Sequence, residues 1–137
     1  LAAASQYNIG RAHQRAGRYE AAALAYRAAF ELSAGTDAMA VSNEGSMMFE
    51  LGRQAAAVAC WLSAVALDPM DMVAHHNLGY IYIERGDLAA AQLKVDLLME
   101  HEPLSARSHN LQGVIFQRQG QTELARAAYT RALELNP

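Results

Sequence analysis

A single cysteine, three prolines and 11 Lys and Arg residues are all that this sequence of 137 residues offers of those types, and each scarcity excludes something. Cys60 alone rules out an intramolecular disulfide, so thiol usage does not fix the compartment. The few basic residues are outnumbered by 14 Asp and Glu, for a net charge of -3. That balance lacks the basic footprint by which proteins neutralise phosphates, and nucleic acid is not an expected partner. No stretch approaches the roughly 18 apolar residues of a membrane-spanning helix, so direct membrane insertion is not expected either. No basic-then-apolar leader opens the chain, which starts on Leu1 and stops on Pro137 and is read as a piece of a longer protein. Glycine-rich phosphate loops, His-Glu-x-x-His, nucleophile elbows and paired Cys-x-x-Cys are all missing, and with them any basis for an enzyme or a cofactor.

What is present is a repeat. Two glycines seven residues apart, followed five residues on by an alanine, occur four times: Gly10, Gly17 and Ala22; Gly45, Gly52 and Ala57; Gly79, Gly86 and Ala91; Gly113, Gly120 and Ala125. The leading glycines are 35, 34 and 34 residues apart, and Pro69, Pro103 and Pro137 keep the same step. A period near 34 with helical patterning predicts stacked helix pairs, in which no single repeat can bury both of its faces. Each repeat is read as a helix A, a left-handed turn on its second glycine, and a helix B. Asp37 (or Thr36), Asp71 and Ser105 stand where they can cap the next helix A. The leading glycine and the alanine of helix B are expected where the two helices cross, with Tyr26, Trp61, Val95 and Tyr129 filling one equivalent position on helix B.

On these residues the chain resembles the tetratricopeptide repeat family over essentially its whole length. The stretch from His76 through Asp87 is similar to the family's helix-A signature and that from Ala125 through Pro137 to its helix-B signature. Glu44 and Gln112 depart from it, standing where the family prefers a large apolar residue, and looser contacts are expected there. The resemblance implies an all-α, right-handed superhelical solenoid of antiparallel helix pairs: one domain over 1–137 with repeats of about 3–37, 38–71, 72–105 and 106–137. It also implies a concave groove lined by the A helices that binds an extended peptide or helix of another protein.

Asn8, Asn43 and Asn77 recur two residues before the leading glycine, and Asn110 lies one place earlier in its repeat. An amide offers a donor and an acceptor to a bound backbone whatever its sequence, and asparagine is a poor helix-interior residue whose recurrence asks for a reason. The plainer reading is hydrogen bonding between repeats. Helical spacing adds Phe49, Tyr80 and Ile83 as groove-facing side chains that select a partner's side chains, with Tyr7 facing the groove beside them and Arg11 and Arg118 toward the two ends. Such a lining suits a guest with one or two apolar anchors and an acidic group near an end. The family's carboxylate clamp is not expected, because of its positions only Asn43 matches. His75 and His76 are adjacent, about 100° apart on a helix, and do not suggest a metal site. Two other readings compete: a structural module stacking with its own copies through open repeat ends, and an accessory domain of a larger enzyme. The alanine-rich repeats suggest a bacterial assembly or secretion setting by analogy. The compartment, cytoplasmic or periplasmic for a soluble chain, is left open.

Overall fold

The computed structural model describes residues 2–137. Among them are eight helices and no strands: α1 (Ala3–Arg15), α2 (Tyr19–Leu32), α3 (Ala38–Glu50), α4 (Gln54–Leu67), α5 (Met72–Glu84), α6 (Leu88–His101), α7 (Ala106–Arg118) and α8 (Thr122–Leu135). None is long and apolar enough to cross a membrane. The chain forms two compact units, Leu1–Ala74 and His75–Pro137.

Local chemistry sets the helix ends. Gly17, Gly52, Gly86 and Gly120 have φ between +75° and +79°, the left-handed region that glycine enters without a Cβ penalty. At the first of these turns Gly17 N–H donates to Gln14 C=O and Arg18 N–H to His13 C=O, at 3.0 and 2.9 Å, which satisfies carbonyls the helix end would leave bare. The same long-span bond recurs as Arg53 to Met48, Asp87 to Tyr82 and Gln121 to Phe116. The extra residue of the first repeat is absorbed at Ala34 and Gly35, both left-handed at φ 58° and 73°. Asp37, Asp71 and Ser105 accept hydrogen bonds from the N–H groups of Ala40, Ala74 and Ser108. Asp87 likewise accepts from Ala90 and caps α6.

In the first unit α1 pairs with α2, α3 pairs with α4, and α2 packs on α3. Ala22, Ala23, Tyr26 and Met47 form one buried cluster, flanked by the half-buried Tyr7, Tyr19 and Met48. In the second unit α7 pairs with α8 and α6 packs on α7.

The leading glycines have a more specific partner than the expected alanine. A Cβ on Gly10 would lie 2.8 Å from the Tyr26 ring, one on Gly45 2.8 Å from Trp61 Nε1, and one on Gly113 2.6 Å from the Tyr129 ring. The aromatic of helix B therefore rests on the backbone of helix A, and glycine is the residue that admits it. Each ring is pinned by its polar edge: Trp61 Nε1 donates to Ser42 C=O at 3.1 Å, and the Tyr26 and Tyr129 hydroxyls donate to the Gln14 and Gln117 side chains. In the third repeat helix B carries the smaller Val95, and a Cβ on Gly79 would meet only Lys94 Cβ at 3.4 Å and Leu111 Cδ1 at 3.6 Å.

Glu44 and Gln112, expected to loosen their contacts, are matched by polar partners on the preceding helix B. Glu44 is buried and lies against Arg27, whose Nη2 donates to Oε1 at 2.9 Å and whose Nε lies 2.8 Å from Oε2. Oε2 sits off the donor axis and accepts no hydrogen bond. Gln112 and Gln92 exchange a reciprocal pair of amide hydrogen bonds at 2.8 and 3.1 Å. A polar group withdrawn from water needs such a partner.

Candidate functional site

In the first unit the A-helix face carries Tyr7, Asn8 and Arg11 on α1 with Asn43 and Phe49 on α3. Asn8 and Arg11 are exposed, whereas Tyr7, Asn43 and Phe49 are half-buried. Asn43 Nδ2 donates to the Tyr7 hydroxyl at 2.9 Å and joins the two A helices. That contact is the inter-repeat bond of the plainer reading. The Tyr7 ring lies 5.5 Å from that of Tyr26, and the Phe49 ring 6.1 Å from Trp61. At the N-terminal ends of α1 and α3 a cavity of about 300 Å³ is lined by Ala4, Tyr7, Asn8, Asp37 and Met39. Sequence reasoning placed Asp37 only as a cap, because its distance from α1 along the chain hides the fact that it shares a cavity with Asn8.

In the second unit Asn77 is half-buried and Asn110 exposed, while Tyr80 is 42 % exposed. Leu111 occupies the position that holds Asn8, Asn43 and Asn77 in the other repeats; it is buried, facing Gly79 of α5. The Arg118 guanidinium lies 3.5 Å from the Glu84 carboxylate, so its charge is already countered.

Ile83, expected on the groove as a selecting side chain, is 1 % exposed and belongs to the core. Its register explains why. In the other repeats this position holds Gln14, Phe49 and Gln117, each against the aromatic of its own helix B. The position borders the helix pair: Gln14 and Gln117 are exposed there and Phe49 is half-buried. The third repeat's apolar isoleucine is buried fully.

The adjacent histidines take separate partners. His75 is buried with Nδ1 3.2 Å from Lys94 Nζ, and His76 Nδ1 lies 3.0 Å from Arg107 Nη2. Burial, and then the positive charge of Arg107, push His76 down to about 4. Burial also lowers the Lys94 ammonium. In the first unit, burial and then the Glu44 charge raise the Cys60 thiol to about 11, which keeps it protonated and unreactive at neutral pH. Among the described residues no three His, Cys, Asp or Glu side chains gather where a metal could be held.

Comparison with known proteins places these helix pairs. Residues 45–86 match a family model described as TPR repeat, and residues 3–36 and 106–137 match two described as tetratricopeptide repeat. No curated protein matches the chain. Among solved structures it is similar to MamA 41-end from Desulfovibrio magneticus RS-1, with 21 % identity and a TM-score of 0.83 over 98 % of this chain and 76 % of that one. A second MamA crystal structure gives 22 % identity and a TM-score of 0.81, covering 97 % of this chain and 72 % of that one. A tetratricopeptide repeat protein from Parabacteroides merdae ATCC 43184 gives 19 % identity and 0.82, covering 96 % and 51 % respectively. At these identities the likeness is one of fold.

Proposed function

Because the chain belongs to the tetratricopeptide repeat family, whose fold is a scaffold for protein–protein interaction, we propose that it binds an extended peptide or helix of a partner protein along the exposed faces of its A helices. The observation that carries this reading is the combination on those faces of exposed amides with apolar surface. Asn8 and Asn110 are exposed, and Tyr80, Val73 and Met39 are 42, 46 and 60 % exposed. Amides hold a guest backbone irrespective of its sequence, and the aromatic and apolar side chains select among side chains. Asn43 and Asn77 contribute what their half-buried amides leave uncommitted, and Tyr7, Phe49, Arg11 and Arg118 form the surroundings. The four repeats act in this reading as one domain over 1–137, within a bacterial assembly or secretion system.

Selection of a displayed random-peptide library on the chain tests it. Peptides enriched on the wild type should lose about tenfold or more in affinity on an Asn8→Ala/Tyr80→Ala variant of unchanged helicity, as expected when an anchor side chain is truncated. They should bind a Leu93→Ala variant, altered on helix α6, undiminished. Equal binding to wild type and double variant refutes the groove.

One observation favours self-association as a second reading. Leu124 and Leu133 on α8 are 50 and 65 % exposed, and Leu133 borders a cavity of about 350 Å³ with Gln117, Ala125 and Tyr129. Light scattering at rising concentration should show growing mass if copies stack there, and a constant monomer mass rules it out.

A further inference from the structure

We propose that the cavity between the N-terminal ends of α1 and α3 is a side-chain pocket that takes an arginine or lysine of the bound segment. This rests on the groove reading above and adds to it the chemistry of one anchor.

The cavity's volume of about 300 Å³ lies at the low end for ligand pockets, room for one long side chain rather than a cofactor. Its walls are of two kinds. Ala4, Tyr7 and Asn8 stand on one face of α1 at the i, i+3 and i+4 spacing, and Met39 closes the opposite side with a 60 % exposed, adaptable thioether. These surfaces suit a methylene stem. The polar wall is acceptor-rich. Asp37 Oδ1 is committed to Ala40 N–H, at 3.1 Å, which leaves Oδ2 for a guest. Asn8, which is exposed, lines the same cavity and offers an amide.

A guest with an acidic group would face the Asp37 carboxylate. A purely apolar guest would strip water from Asp37 and Asn8 and leave both unpaired, which costs more than the contact returns. A cation on an apolar stem satisfies both walls, with charge-assisted hydrogen bonds at its head. Among the described residues no Lys, Arg or His pairs with Asp37. Arg11, exposed one turn beyond Tyr7 and Asn8 on α1, is about 5–6 Å from them along the helix axis, and solvent screens its charge.

Asp37→Asn makes a clean test. Asparagine caps a helix as well as aspartate does, so α3 keeps its first hydrogen bond while the pocket loses its charge. A random-peptide library selected on the wild-type chain should enrich arginine or lysine at one position. Replacing that residue by norleucine, or the protein's Asp37 by Asn, should weaken the selected peptide by about tenfold, the scale of one charge-assisted hydrogen bond. The wild-type affinity should fall with added salt more steeply than that of Asp37→Asn. Ala4→Phe, at an exposed position on the cavity wall, should block the same peptide. Peptides that depend on Asn8 and Tyr80 but show no basic preference overturn the pocket and leave the groove reading standing. A basic preference that survives Asp37→Asn undiminished also overturns it. A library that yields no binder sinks both.

Discussion

Adding one methyl group to a leading glycine should have opposite effects in different repeats. Gly45→Ala places a Cβ 2.8 Å from Trp61 Nε1, 2.9 Å from Cδ1 and 3.0 Å from Cys60 Cβ. Trp61 is 2 % exposed and held by its bond to Ser42 C=O, so the ring cannot yield without giving up packing. Overpacking of this kind costs ~1–3 kcal/mol, and displacement of the indole puts a further ~1 kcal/mol of hydrogen bonding at stake. Alanine returns ~1 kcal/mol through its better helix propensity, for a net loss of about 1–3 kcal/mol. Gly79→Ala gains the same propensity and meets nothing closer than Lys94 Cβ at 3.4 Å, with Val95 where the other repeats carry an aromatic. It should be neutral or stabilising by up to ~1 kcal/mol. Urea unfolding followed by far-ultraviolet circular dichroism reads both: a lower midpoint for Gly45→Ala, an unchanged or higher one for Gly79→Ala. Midpoints that move together would show that something other than the helix-B ring demands glycine, and the packing argument would fall.

Two further predictions concern charge. Arg27→Leu leaves the buried Glu44 carboxylate without its cation and should destabilise by ~1–3 kcal/mol. That is below the 3–5 kcal/mol of fully buried pairs because Arg27 is 41 % exposed. The Arg27→Leu/Glu44→Leu double variant should recover most of the loss in a double-mutant cycle, and purely additive losses would deny the pairing. His76, held down at about 4 from an ordinary 6.5, stays neutral in the fold where the unfolded chain takes up a proton. Its contribution to stability is whole above about 6.5 and declines as the pH falls toward 4. The His76 ring resonances should titrate near 4, and Arg107→Ala should raise that midpoint only part of the way because burial is the larger cause. A wild-type midpoint near 6.5 would contradict the buried placement.

Glu44 shows how far the candidate site could be read in advance. A carboxylate at a position that wants bulk is visible as an anomaly in the sequence, yet its partner Arg27, on the preceding helix B, carries no mark that distinguishes it from the other exposed cations. The amide position divides in the same way. The recurrence of Asn8, Asn43 and Asn77 is a sequence fact. That Asn43 spends one N–H on Tyr7, 36 residues away, depends on how α1 meets α3. Ile83 was misplaced because a 100° step per residue fixes a face only to within a side chain's width. At that border Gln14 and Gln117 are exposed, Phe49 is half-buried and Ile83 is buried.

By itself the sequence determined the helix pairs, their turns and their caps. Those depend on interactions within a few residues: left-handed glycines at Gly17, Gly52, Gly86 and Gly120, and carboxylate or hydroxyl caps at Asp37, Asp71 and Ser105. Only the tertiary structure decided that the leading glycines yield to aromatic rings, that Glu44 and Gln112 find polar mates, and that Asp37 and Asn8 share one cavity. These join side chains from separate helices, and the repeat period sets which helices meet but not which atoms do. The 34-residue step is a property of the backbone, whereas the contacts that give this chain its own selectivity are made by side chains that differ from repeat to repeat.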